Sequence, residues 1–121
     1  MSQRLGSILI GSSNVDEMKR WYRRAFDVEE NAMGAFDFGG VQVFIEAHSE
    51  ISGPTTEPAR CIVNFDVDDA WSLARHMRDV GTKFVREVES APFGVIATAL
   101  DPDGNYVQVI QWGGAPESHR D

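Results

Sequence analysis

Ile8-Leu9-Ile10-Gly11-Ser12-Ser13-Asn14-Val15-Asp16-Glu17-Met18 can be laid over Val63-Asn64-Phe65-Asp66-Val67-Asp68-Asp69-Ala70-Trp71-Ser72-Leu73. Each stretch reads as an apolar strand, an acidic or amide cap, and the start of a helix. The shift stays at 55 residues onward, bringing Tyr22 onto Met77. A constant shift of this kind marks two copies of one supersecondary unit.

Reading outward from the caps, Val15, Met18, Tyr22, Ala25 and Phe26 recur at spacings of three and four and predict one apolar helix stripe. Asn14 with Glu17 three positions on has the capping-box pattern, and Asp16 and Glu17 suit the positive end of a helix. The second helix places Ala70, Leu73, Met77 and Val80 on one face, with a cap at Asp68 or Asp69 and a stop at Gly81. Its Arg75, His76 and Arg78 fall off that stripe and read as a solvated surface.

Hairpin signals follow each helix. Ala35 to Phe38, Gly39-Gly40, then Val41 to Glu46 reads as a two-residue-turn hairpin with Phe38 opposite Val41 and Phe36 opposite Val43. Its greasy face is Phe36, Phe38, Val41, Val43 and Ile45, and its mixed face is Ala35, Asp37, Gln42, Phe44, Glu46 and His48. In the second half Asp101-Pro102-Asp103-Gly104 is a strong turn between Val95–Leu100 and Asn105–Trp112. Alternation there puts Ile96, Val107 and Val109 toward the helix. It puts Ala97, Ala99, Tyr106, Gln108, Ile110 and Trp112 on the open side, to within one residue of register. The expected fold is α+β, a tandem of βαβββ modules forming a curved, mixed and mostly antiparallel sheet with helices outside and a cleft within. Module one covers about residues 5–48, a linker 49–59, module two 60–112 and a tail 113–121, all in one domain.

The 121 residues suit a single core. With 11 Lys and Arg against 19 Asp and Glu the formal charge is −8, which repels phosphate backbones and argues against nucleic acid. No apolar run reaches the span of a membrane, and no secretory leader is visible at the start. The lone Cys61 excludes a disulfide scaffold and is consistent with a cytoplasmic location. Alternation sets Cys61 against the helix layer as a small buried hydrophobe. Gly39-Gly40 and Gly113-Gly114 match no phosphate-binding loop.

The repeat, Met18-Lys19-Arg20-Trp21-Tyr22-Arg23-Arg24-Ala25-Phe26, Phe65-Asp66-Val67-Asp68-Asp69 and above all Asp101-Pro102-Asp103-Gly104-Asn105-Tyr106-Val107-Gln108-Val109 resemble the vicinal oxygen chelate superfamily. That group includes glyoxalase I, bleomycin resistance proteins, extradiol dioxygenases and fosfomycin resistance enzymes. The resemblance covers about residues 5–112. It implies a small-molecule cleft and a homodimer, since such proteins commonly complete their clefts from two chains. Metal-dependent members carry His, Gln or Glu at four points, which correspond here to Ser7, Phe44 (or Glu46 if the register slips), Ile62 and Gln108. Ile62 binds no metal and Ser7 is a poor ligand for a divalent ion. The family's metal site is therefore degenerate at Ser7, Phe44, Ile62 and Gln108, and no cofactor is expected.

Two function classes follow. The leading expectation is a metal-independent binder of an antibiotic or metabolite, with Phe44, Phe93, Tyr106 and Trp112 as flat walls and Glu46, Asn64, Asp66 and Gln108 as polar contacts. Such walls with acidic rims suit a planar or cationic guest. The alternative is a metal-dependent lyase, isomerase or dioxygenase of glyoxalase type, with a divalent ion on a reorganised site of Glu46, His48 or Gln108. A metal-free enzyme is a third option, with Glu46 or Asp66 as general base.

Overall fold

The computed structural model describes residues 2–114. Seven strands and two helices follow in the order β1 (Ser7–Ser12), α1 (Val15–Phe26), β2 (Phe36–Phe38), β3 (Val41–Ala47), β4 (Val63–Asp66), α2 (Ala70–Asp79), β5 (Lys83–Ala91), β6 (Gly94–Leu100) and β7 (Tyr106–Trp112). The two helices start by different means. Asp69 caps α2 by accepting the Ser72 N–H at 3.0 Å. The capping box expected at α1 does not form: the Asn14 side chain caps nothing, and the buried Ser12 Oγ instead accepts the Asn14 N–H at 2.8 Å. Ser12 ends the preceding strand, so strand and helix are tied directly. Met18, Tyr22 and Ala25 bury the predicted stripe of α1, and α1 ends on Asp27 in the left-handed region.

The chain forms two mixed sheets, ordered β1-β3-β2 and β4-β7-β6-β5. In each, the strand before the helix lies parallel to the last strand of its module. The tandem is thus real, but the halves are unequal, because module two has three strands after its helix and module one has two. In place of the missing strand, residues 28–35 are held by side chains. Glu30 takes Lys19 and Arg23, and Asn31 accepts the N–H groups of Met33 and Ala35 while donating to Gln42. A segment whose backbone groups are satisfied this way has no need of a strand neighbour.

The first hairpin has the predicted register, Phe36 against Val43 and Phe38 against Val41. Ala35 departs from expectation: it is fully buried, not part of an open face. In the second hairpin the register is shifted by one. Ala97 pairs with Val109 and Ala99 with Val107, all four in the core, whereas Ile96 and Thr98 pair with Ile110 and Gln108 on the other face. The cause lies in the turn. Asp101 accepts the backbone N–H groups of Asp103 and Asn105 and the Asn105 side chain, which draws Asn105 into a five-residue loop closed by Leu100 and Tyr106.

One core joins the greasy faces of both sheets. It runs from Met18 and Tyr22 on α1 through Phe36, Val43 and Ile45 to Phe65, Met77, Ala97 and Val109. Across the seam Phe65 meets Phe26 at 4.4 Å and Phe38 at 4.7 Å between ring centroids. Tyr22 donates to Asp101 at 3.0 Å and Trp21 to Thr82 at 3.0 Å, so α1 is bolted to module two. Trp21 is accordingly an internal tie, while the indole N–H of Trp71 is buried with no partner among the described residues. The linker is pinned where Thr55 donates to the Asp103 carbonyl, and it closes with a short 3-10 turn at Pro58–Arg60. Cys61, just after that turn, is exposed, not buried as alternation suggested, because regular pairing begins only at Val63. On α2, His76 meets the Arg24 carbonyl, and Arg78 pairs with Glu87 and lies over the Phe84 ring. Of the expected tail, residues 115–121 lie outside the described residues.

Candidate functional site

The greasy faces of both sheets share one core, and the candidate residues lie on their other faces. On the first sheet the parallel register puts Ser7 beside Gln42, Leu9 beside Phe44 and Gly11 beside Glu46. Leu9 is exposed and Phe44 half-buried. At Gly11 a side chain would run into Ile51 and His48, so the beginning of the linker folds against that end of the sheet. On the second sheet Asn64 lies beside Gln108 and Asp66 beside Ile110, with Ile96 and Thr98 on the next strand. Tyr106 and Trp112 extend the same row at either end.

The predicted site residues therefore divide into two groups. Phe44 and Glu46 sit on one outer face. Asn64, Asp66, Tyr106, Gln108 and Trp112 sit together on the other, joined at its end by Phe93. The candidate residues thus lie on two separate sheets.

The second group is the better organised. Gln108 donates to Thr98 Oγ1 at 3.2 Å, which fixes the amide over a floor of buried Ile96, Thr98 and Ile110. Trp112 is 62% exposed, yet its indole Nε1 donates to Asp66 at 2.9 Å. Phe93, in the turn between β5 and β6, lies 5.2 Å from the Trp112 ring with the planes tilted by 47°. That turn is tight for a backbone reason. Gly94 has φ +149, and a Cβ there would come within 1.9 Å of the Gln111 carbonyl oxygen. Gly113 also donates to the Phe93 carbonyl at 2.9 Å. A large aromatic surface is thus presented to solvent in a set orientation, where burial would otherwise be favoured.

Sequence reading missed Leu9, Ile96 and Thr98 on these faces. Leu9 is hidden in an unbroken apolar run, where alternation gives no parity signal. Ile96 and Thr98 were displaced by the one-residue register shift.

The metal-ligand positions of the resemblance hold a hydroxyl at Ser7, no donor at Phe44 or Ile62, and an amide at Gln108 already engaged with Thr98. His48 Nδ1 accepts the Glu50 N–H, and His48 and Glu46 lie on the module opposite Gln108. Among the described residues no group of three or more His, Cys, Asp or Glu could hold a metal ion.

The groups whose protonation the fold clearly shifts lie away from both faces. Burial pushes the Asp101 carboxyl up, against the opposing pull of its hydrogen bonds from Asn105, Tyr22 and Asp103. Burial, with the Asp101 charge beside it, pushes the Tyr22 hydroxyl well up. This pair belongs to the junction between modules.

Among curated proteins none matches the chain. Solved structures do. A glyoxalase/bleomycin resistance protein/dioxygenase family enzyme from Burkholderia phytofirmans PsJN is 20% identical with a TM-score of 0.74, covering 92% of this chain and all of its own. The corresponding domain from Frankia sp. EAN1pec is 16% identical with a TM-score of 0.74, over 93% of this chain and all of that one. TnmS3, an antibiotic binding protein from Streptomyces sp. CB03234, is 14% identical with a TM-score of 0.69, over 93% and 98%. At these identities the likeness is one of fold. Among the described residues no helix is long and apolar enough to cross a membrane. A family model spans residues 4–109, nearly the whole tandem, and by that match the chain belongs to the Glyoxalase/Bleomycin resistance protein/Dioxygenase superfamily.

Proposed function

We propose that this protein binds a small molecule without a metal, in a cleft made when the outer face of the first sheet in one copy meets the outer face of the second sheet in another. The observation that carries the reading is the exposed Trp112, held in place by Asp66 and Phe93 beside the fixed Gln108 amide. An exposed aromatic that is oriented in advance is suited to stacking on a ligand ring. Leu9, Phe44 and Glu46 would supply the facing wall.

A second copy is supported by the seam between modules. There, among the described residues, β1 pairs only with β3 and β4 only with β7, leaving one edge of each strand without a strand neighbour. Between the first sheet and β4 opens a groove of about 580 Å³ lined by Leu5, Ile8, Phe38, Val41, Val63 and Phe65, with Asn64 and Asp66 on its β4 side. Edge-to-edge pairing of two copies would satisfy the free backbone groups and cover the groove. We prefer the outer face of the second sheet to this groove as the ligand site, because the groove walls are mostly apolar, with Asn64 and Asp66 as their polar members, whereas Trp112 and Gln108 are held in place outside it.

Metal independence is supported by the donor set: a hydroxyl, two hydrocarbons and one engaged amide do not fit a divalent cation. The unpaired, exposed Cys61 supports a reducing, cytoplasmic setting.

Titration of the purified protein with basic glycopeptide-type drugs, followed by tryptophan fluorescence and calorimetry, tests the binding reading. Saturable quenching that is lost in Trp112→Ala is expected, and no heat and no quenching at high concentration would overturn it. Metal analysis after reconstitution with Ni, Zn, Fe or Mn should find none bound in stoichiometric amount, and a stoichiometric ion would favour a lyase, isomerase or dioxygenase instead.

A further inference from the structure

Asp66 ends β4 and Trp112 ends β7, the strand beside it. Only one carboxylate oxygen, Oδ1, holds the indole, and among the described residues Oδ2 accepts no hydrogen bond. Both groups are exposed, so the pair adds little to stability. What it does is geometric. An exposed Trp side chain on a strand end would sample several rotamers, whereas here one is selected by the carboxylate on one side and the Phe93 ring on the other. A ring stacked on this indole would bring its edge near the same carboxylate, whose free oxygen can accept an N–H. The bases of this sheet face, Lys83 and Arg86, lie on β5 at the far side of the sheet, and Arg86 is already bound to Glu89. Among the described residues, the charged group in contact with Trp112 is thus the Asp66 carboxylate.

We infer that Asp66 is a positioning and selecting residue: one oxygen fixes the Trp112 indole as a stacking surface, and the other receives a cationic N–H on the edge of the stacked ring. The second sheet's outer face accordingly prefers a flat, nitrogen-bearing aromatic cation to a neutral or anionic ring of the same shape. This inference rests on the reading that the outer face binds a small molecule, and it adds the chemical class of that molecule and the residue that selects it.

Proflavine serves as the flat cation, acridine at pH 8 as its neutral counterpart, and anthracene-2-carboxylate as the anion. Each is titrated into the full chain with tryptophan fluorescence and the indole N–H signals of a proton–nitrogen correlation spectrum as readouts, the Trp112 signal being assigned with Trp112→Phe. Proflavine should bind at least about tenfold more tightly than acridine, with the anion weakest, and should move the Trp112 signal. Asp66→Asn keeps an acceptor for the indole but not the charge. It should leave the Trp112 signal and acridine affinity in place and bring proflavine down to the acridine level. Asp66→Ala should shift the Trp112 signal in the free protein and weaken both dyes. Equal proflavine affinity in the natural protein and Asp66→Asn overturns the selecting role; if that binding is still lost in Trp112→Ala, the binding face itself stands. No binding of any of the three dyes overturns the inference, while the drug titration decides the broader reading independently.

Discussion

Asp101 links three parts of this fold. Its Oδ1 accepts the N–H groups of Asp103 and Asn105, and its Oδ2 accepts Tyr22 and the Asn105 amide. One side chain thus sets the turn, the hairpin register and the junction to α1. Replacement by Asn turns an acceptor into a donor facing two donors, and a loss of about 1–3 kcal/mol is expected on urea unfolding. The pH dependence follows from the raised carboxyl. A folded-state pKa above the unfolded value, about 4, gives a stabilising contribution that is full below that value and is lost as pH rises through the folded value. The gap between the natural protein and Asp101→Asn should therefore be wider at pH 4.5 than at pH 7; a gap that narrows on acidification would refute the assignment. Gly94 is the second sensitive residue. With φ +149 and the Gln111 carbonyl 1.9 Å from a prospective Cβ, Gly94→Ala should lose more than about 3 kcal/mol, measured by thermal or urea unfolding.

At the scale of elements, the helix starts show how similar sequences reach similar structures by different bonds. Asn14 and Asp69 both read as caps, but only Asp69 acts through its side chain. Asp69→Ala should lower stability by about 1 kcal/mol and Asn14→Ala by less than about 0.5 kcal/mol. Ser12→Ala, removing a buried acceptor, should exceed Asn14→Ala, and calorimetric melting of the three variants in parallel would show the order. The same scale shows where periodicity suffices. The stripe of α1 and the first hairpin were legible because a two-residue turn admits one register. The second hairpin was not, since a side chain in the turn added a residue to the loop. The missing strand of module one was invisible too, because nothing local in residues 28–35 says that Glu30 and Asn31 will find Lys19, Arg23 and Gln42.

At the scale of the whole molecule, two sheets share one core and carry the candidate binding residues on separate sheets. A mostly apolar groove opens between the first sheet and β4, and among the described residues β1 and β4 each keep one edge without a strand neighbour. We expect a dimer in sedimentation velocity at micromolar concentration, and Val63→Asp, at the groove and on a free edge strand, should shift it toward monomer with the helical circular dichroism retained. A natural protein that sediments as a monomer at those concentrations would contradict the composite cleft. The formal charge of −8 disfavours unspecific association, so a dimer that forms does so through matched surfaces.

The sequence by itself determined the tandem, the helix stripes and the first hairpin, because each depends on residue type at short spacing. It also placed Asp66, Gln108 and Trp112 on one side of their strands, since strand parity is local. Only the tertiary structure decided that Phe44 and Glu46 lie on a different face from these, that Asp66 holds Trp112, and that Phe93 flanks it. Those relations depend on how two modules share a core and on a register shifted by one buried carboxylate, and neither is a property of any short stretch of chain.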